Sequence, residues 1–247
     1  MQPTPAPTEP SADELASLLP ARFNDGRVVA AVFTIPFERA REAVTPPQLH
    51  PVEVPGKKAF AVICTFEYVD SSLGPYREFA VGVVARRGQS SGPLSTLDLF
   101  STRPDTGAWI VAMPVTSEKA RRYGVDLFGF PKTLMSVSVQ RTSGSCSTAV
   151  LDDERPIVTT HVPLEFGPKI PVPWLVTYTS KSGQLLRTRI RTKWWATLSS
   201  GAKARVEITD SSHPLAQSLL QLGLPKSPLI VLHGERFRAI LPAGEQV

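Results

Sequence analysis

The order of elements in this sequence predicts an α+β fold, mostly antiparallel β and barrel-like, with a few short helices. Three observations carry that prediction. Apolar, β-branched runs of strand length recur along most of the chain. Helical spacing is confined to four short stretches. Strands and helices do not alternate as parallel βαβ units require. With 247 residues, 42% hydrophobic and 20% charged, the chain is long enough to bury a sizeable core. The reading is a Pro-rich leader at residues 1–10, unable to build a core or a helix, followed by a single domain over 11–247.

Taken in order, "SADELASLLP" has a capping box, Ser11 with Glu14, before a short helix that Pro20 stops. "GRVVAAVFTI" is apolar and β-branched, hence a buried strand, and "PFERAREAV" has helical spacing that ends at Thr45-Pro46-Pro47. "KKAFAVICTFEYVD" is a strand, "SSLGPYREFAVGVVARR" turns into another, and "LSTLDLFST" and "AWIVAMPVT" extend the series. "SEKARRYG" reads as a short helix with Thr116 as cap and Gly124 past its end. "LMSVSVQRTS", "STAVLDDE", "IVTTHVPLEF", "LVTYTS", "LLRTRIRTKWW" and "AKARVEITD" are strands. "HPLAQSLLQLG" is a helix capped by Ser212 with Pro214 at its first position, and "SPLIVLHGERFRAILP" closes with one or two strands.

Several function classes lack support. No apolar run reaches membrane-spanning length and no export signal is visible, so a cytoplasmic location is expected. Cys64 and Cys146 read as reduced packing residues. The four histidines lack metal-ligand spacing, and no phosphate or dinucleotide loop appears, so neither metal nor cofactor is expected. "GQSSGP" is no hydrolase elbow. The charge of +5 draws attention to Arg187, Arg189, Arg191 and Lys193, which share one strand face. With no nucleic-acid motif beside it, that face reads as a solvated strand, and no nucleic-acid partner is expected.

The stretch that carries chemistry is "FGFPKTL", residues 128–134. An ordinary lysine has a pKa near 10.4. To be mostly neutral at pH 7 its ammonium must be disfavoured by roughly 4.6 kcal/mol, which burial in an apolar pocket can do. Phe128, Phe130, Pro131 and Leu134 are such a wall around Lys132. Strand alternation points the other way: Lys132, Leu134, Ser136 and Ser138 would share a polar face.

Through "GVDLFGFPKTL" the sequence resembles the acetoacetate decarboxylase family, whose motif runs Gly-Arg-Glu and then aromatic-Pro-Lys-Lys. Lys132 matches the family's Schiff-base lysine, whose activation in acetoacetate decarboxylase is a known case. "NDGRVVAAVFTIPFERAREAVTPPQL" resembles the family's N-terminal strand and helix and puts Arg27 at its pocket arginine. "SSLGPYREFAV" resembles its Gly-x-Tyr-x-Glu segment, with Tyr76 and Glu78 in place, and "HPLAQSLLQLGLP…ILPAGEQV" its terminal helix and strand. The likeness runs from about residue 20 to the end.

The resemblance implies a cofactor-independent enzyme on the family's barrel-like fold, with a small-molecule oxo-acid substrate and a homo-oligomeric assembly. Lys132 and Glu78 would be catalytic, and Arg27, Tyr76, Phe130 and Asp126 would contact substrate. Lys132 would attack a β-keto acid, form an iminium and lose carbon dioxide. The same lysine could instead run aldol, retro-aldol or dehydratase chemistry on a 2-oxo acid, or the chain could bind a small molecule without turning it over. The chain departs from the motif at Val125 for arginine, Asp126 for glutamate and Thr133 for the second lysine, and Ile63 falls at a further acidic position. Without the neighbouring cation, desolvation becomes the expected means of activation.

Overall fold

The computed structural model describes residues 11–88 and 105–247. The leader at 1–10, the "GQSSGP" loop and "LSTLDLFST" lie outside the described residues, in whole or in most part. In chain order the elements are α1 (Ala12–Ala16), β1 (Ala21–Pro36), α2 (Phe37–Ala43), β2 (Leu49–Pro51), β3 (Lys58–Ser71), β4 (Tyr76–Arg87) and β5 (Thr106–Val115). Then follow α3 (Glu118–Phe128), β6 (Lys132–Leu134), β7 (Ser136–Arg141), β8 (Ser145–Asp152), β9 (Arg155–Pro163) and β10 (Lys169–Pro171). The last are β11 (Trp174–Lys181), β12 (Gln184–Lys193), β13 (Trp195–Ser200), β14 (Arg205–Ile208), α4 (Pro214–Gln221), β15 (Ile230–Gly234), β16 (Arg238–Leu241) and β17 (Glu245–Gln246).

The larger sheet closes on itself through β1, β16, β12, β11, β5, β4, β3 and back to β1, a seven-strand barrel. The long β-branched runs make this possible, because β1 pairs with β3 over most of its length and still reaches β16 and β15. Pairing is antiparallel except where β5 meets β11 and β6. A second sheet, β14-β9-β8-β7, covers one outer side of the barrel.

The two faces of β3 and β4 separate two cores. Outward, Ala61, Ile63, Phe79 and Val81 pack with Val137, Val150 and Val158 of the second sheet and Leu215 and Leu219 of α4. Inward, Val28, Phe66, Tyr68, Tyr76 and Ala80 pack with Ile110, Met113, Phe237 and, from α3, Ala120, Tyr123 and Phe128. The inward core is the aromatic one, and it surrounds the site.

Several local expectations change. α3 is capped by Ser117, not Thr116, and runs through Gly124 to Phe128 before Gly129 ends it in the left-handed region. The cap of α4 is His213, whose Nδ1 accepts from the Leu215 N–H, while Ser212 bonds Asp210 instead. The basic face of β12 is not simply solvated: Arg187 and Arg189 both pair with Asp105 and Glu245. Arg191 and Lys193 are exposed as expected. Cys64 and Cys146 are free thiols.

Candidate active site

The chain path to Lys132 is set by the end of α3. Gly129 has φ +65, and a side chain there would stand 2.3 Å from the Ser180 carbonyl oxygen, so both conformation and space call for glycine. Phe130 N–H then donates to the Gly124 carbonyl at 3.1 Å and Met113 N–H to the Pro131 carbonyl at 3.2 Å. This docks β6 beside β5, with Lys132 opposite Met113. The strand breaks at Met135, and β7 belongs to the other sheet. The polar alternation from Lys132 to Ser138 therefore spans two separate strands, and within β6 Leu134, read as part of the lysine's wall, is itself 54% exposed while the Lys132 side chain is buried.

Lys132 points into the barrel. Its Nζ donates to Glu78 Oε2 at 2.8 Å, with side-chain exposures of only 6% and 7%. The ammonium lies 5.6 Å from the Tyr76 ring centre and 5.7 Å from that of Phe130, distances at which an aromatic face favours a cation. Tyr68 donates its hydroxyl to Glu78 Oε1 at 3.4 Å, and its ring packs 4.6 Å from that of Tyr76. The larger clefts, of about 280 Å³ over the second sheet and about 360 Å³ beside Leu127 and Gly244, contain neither Lys132 nor Glu78.

Burial, and after it the Glu78 carboxylate, hold the Tyr68 and Tyr76 hydroxyls well above the usual phenol range. The same two causes push the Cys64 thiol up to about 12. These groups therefore hold their protons to higher pH than free thiol and phenol groups do.

The structure brings together Lys132, Glu78, Tyr76 and Phe130. Arg27 and Asp126 stand apart. Arg27 registers with Glu67, and Glu67 with Arg77, on the sheet face opposite the Val28–Phe66–Glu78 row, and Arg27 pairs with Glu235 at 3.7 Å. Asp126 is exposed on α3 and faces Arg122 at 3.7 Å. Ile63 also points outward, and its neighbour Cys64 occupies the inward position on β3. Thr133 is exposed. Sequence reasoning missed Tyr68 and Cys64. Carrying the β3–β4 hairpin register past Tyr68↔Tyr76 would have placed both on the Glu78 face.

Lys132 and Glu78 thus form a buried amine–carboxylate pair inside an aromatic-walled barrel. The family model for acetoacetate decarboxylase (ADC) matches residues 3–177, and the chain belongs to the acetoacetate decarboxylase family. No curated protein sequence matches. Among solved structures, an acetoacetate decarboxylase is similar with a TM-score of 0.69 and 16% identity, over 92% of this chain and 89% of that one. Acetoacetate decarboxylase from Legionella pneumophila has a TM-score of 0.67 and 17% identity over 100% and 93%. The enduracididine biosynthesis enzyme MppR, complexed with pyruvate, has 0.66 and 15% over 92% and 90%. At these identities the structures support the barrel fold alone.

Proposed function

We propose that this protein is a Schiff-base-forming carbon–carbon lyase that decarboxylates a β-keto acid, with Lys132 as the amine and Glu78 as its proton acceptor. The observation that carries the reading is the 2.8 Å Lys132–Glu78 hydrogen bond between two nearly inaccessible side chains. Passing the proton along the hydrogen bond gives a neutral amine and a neutral acid, and no net charge is created in the barrel.

The amine adds to the keto carbon, and the adduct loses water with a proton returned from Glu78, leaving an iminium. The electrons of the carbon–carboxylate bond flow to the iminium nitrogen, releasing carbon dioxide and an enamine. This step merges a cation and an anion into neutral products. The surrounding aromatic side chains, poor at solvating separated charges, favour it. Protonation of the enamine carbon and hydrolysis of the resulting iminium return the ketone and the free amine.

Aldol-type chemistry through the same lysine is the second reading. The steps up to the iminium are common to both readings, and the placement of Arg27 on the outer face bears equally on a β-keto and a 2-oxo acid carboxylate. The similar structure of MppR holding a condensation product of pyruvate and an aldehyde shows that protein on a related barrel. Incubation with acetoacetate or pyruvate, borohydride reduction and peptide mass spectrometry tests both readings. An adduct at Lys132 with release of carbon dioxide supports decarboxylation. An adduct without it supports aldol chemistry, and no adduct at Lys132 removes both.

A further inference from the structure

Gly124 sits inside α3, where glycine is less favourable than alanine, and its backbone is not in the left-handed region that would require glycine. Space explains it. A Cβ at Gly124 would stand 2.5 Å from Lys132 Cδ, 2.6 Å from Cε and 3.3 Å from Nζ. The lysine stem lies directly against the bare helix backbone, with Tyr76 and Phe130 as further walls and Glu78 at its end. At Gly26, Gly129, Gly167 and Gly201 a side chain would first meet backbone oxygen, and at Gly107 and Gly234 it would meet both a side chain and a backbone oxygen within 3 Å.

We infer that Gly124 is the positioning residue for the reactive amine: its missing side chain is the trough that aims Lys132 Nζ at Glu78. This rests on the Schiff-base reading for its functional meaning, but the placement stands on geometry alone. A methyl at 124 would meet the flexible far end of one side chain, so it displaces the amine while the helix keeps its backbone. No contact of Gly124 with substrate is invoked.

The test is a double-mutant cycle combined with trapping. Gly124→Ala, Lys132→Ala and the double variant are compared by thermal melting. In the Lys132→Ala background the methyl has room, and alanine's helix preference should raise the melting temperature by about 2–4 °C. In the native background that gain should be absent or reversed. Borohydride-trapped adduct of acetoacetate at Lys132 should fall at least tenfold in Gly124→Ala, with the circular dichroism spectrum retained. Equal melting shifts in both backgrounds, or trapping at the wild-type level, overturn the inference. If Gly124→Ala fails to fold, recovery of folding in the double variant supports it and no recovery overturns it. A wild-type protein that forms no adduct, with the cycle as expected, overturns the chemistry and leaves the placement standing.

Discussion

Lys132 on β6 and Glu78 on β4 stand on opposite sides of β5, and they reach one another across it. Lys132 registers with Met113 on one side of β5, and Glu78 with Val115 on the other. Neighbouring strands lie about 4.8 Å apart and two residues span about 7 Å along a strand, so the two backbones are separated by roughly 12 Å. Two extended side chains close that gap to the observed 2.8 Å. A shorter residue at either position cannot make the contact.

Lys132→Arg should therefore separate charge from nucleophilicity. A guanidinium can still pair with Glu78, but it stays protonated and forms no Schiff base. The adduct should disappear, with turnover down at least about 10³-fold, while the fold survives. Lys132→Ala should also lose the adduct, and it leaves Glu78 buried without its cation. That costs about 3–5 kcal/mol, a fall of roughly 6–20 °C in melting temperature. Borohydride trapping and thermal melting of the two variants distinguish these effects.

Glu78→Gln removes the acceptor for the lysine proton but keeps a polar group of the same size. Turnover should fall about 10²–10⁴-fold, the range for losing a positioned acid–base group. Adduct formation should slow with it, so single-turnover trapping rates are the measurement. A variant that forms adduct at the wild-type rate would remove Glu78 from the proton-transfer role.

Tyr68→Phe deletes only the hydroxyl that donates to the other Glu78 oxygen at 3.4 Å. The bond is long, so the stability change should stay within about 1 kcal/mol. The expected effect is a drop of a few-fold in kcat with KM unchanged, measured in steady state. Both numbers unchanged would leave Tyr68 as packing.

Cys64, Tyr68 and Tyr76 make stability fall in alkali. Their folded pKa values are raised, so the folded chain keeps protons that the unfolded chain has lost. For Cys64 the ordinary value is 9.0 and the folded one about 12. Its contribution is complete below pH 9 and is lost as the pH rises towards 12. Melting temperature should decline across that window, and Cys64→Ala should flatten the decline by up to one proton. At pH 8 the native thiol should resist iodoacetamide until the protein is unfolded.

The barrel was legible because its strands are β-branched and long, and the family motif singled out Lys132 and Glu78. What sequence could not supply was direction. Parity assumes an unbroken strand with one buried face, but β6 is three residues long, the Lys132 side chain is buried while Leu134 is exposed, and the serines after the break at Met135 join another sheet. Arg27 is opaque for a related reason. Its position in the strand is plain, but which face of β1 lines the barrel depends on how the sheet closes, a long-range fact. Gly124 reads as a helix stop because glycine commonly is one; here the lysine stem against it explains its place in mid-helix.

Gly129 should respond to alanine in the opposite way to Gly124. At Gly129 the new Cβ meets the Ser180 carbonyl oxygen at 2.3 Å, a backbone atom that cannot swing aside. The residue also sits at φ +65, where a side chain adds about 1–2 kcal/mol of strain. Strain alone would lower the melting temperature by roughly 2–8 °C, and the backbone clash should take it further. Because Gly129 sets the turn that leads into β6, the Lys132–Glu78 contact should be lost together with stability. Gly124→Ala should instead lose trapping with the helix intact. Parallel melting and trapping of the two variants checks this: a Gly129→Ala protein as stable as wild type would show that the helix end does not hold the lysine strand in place.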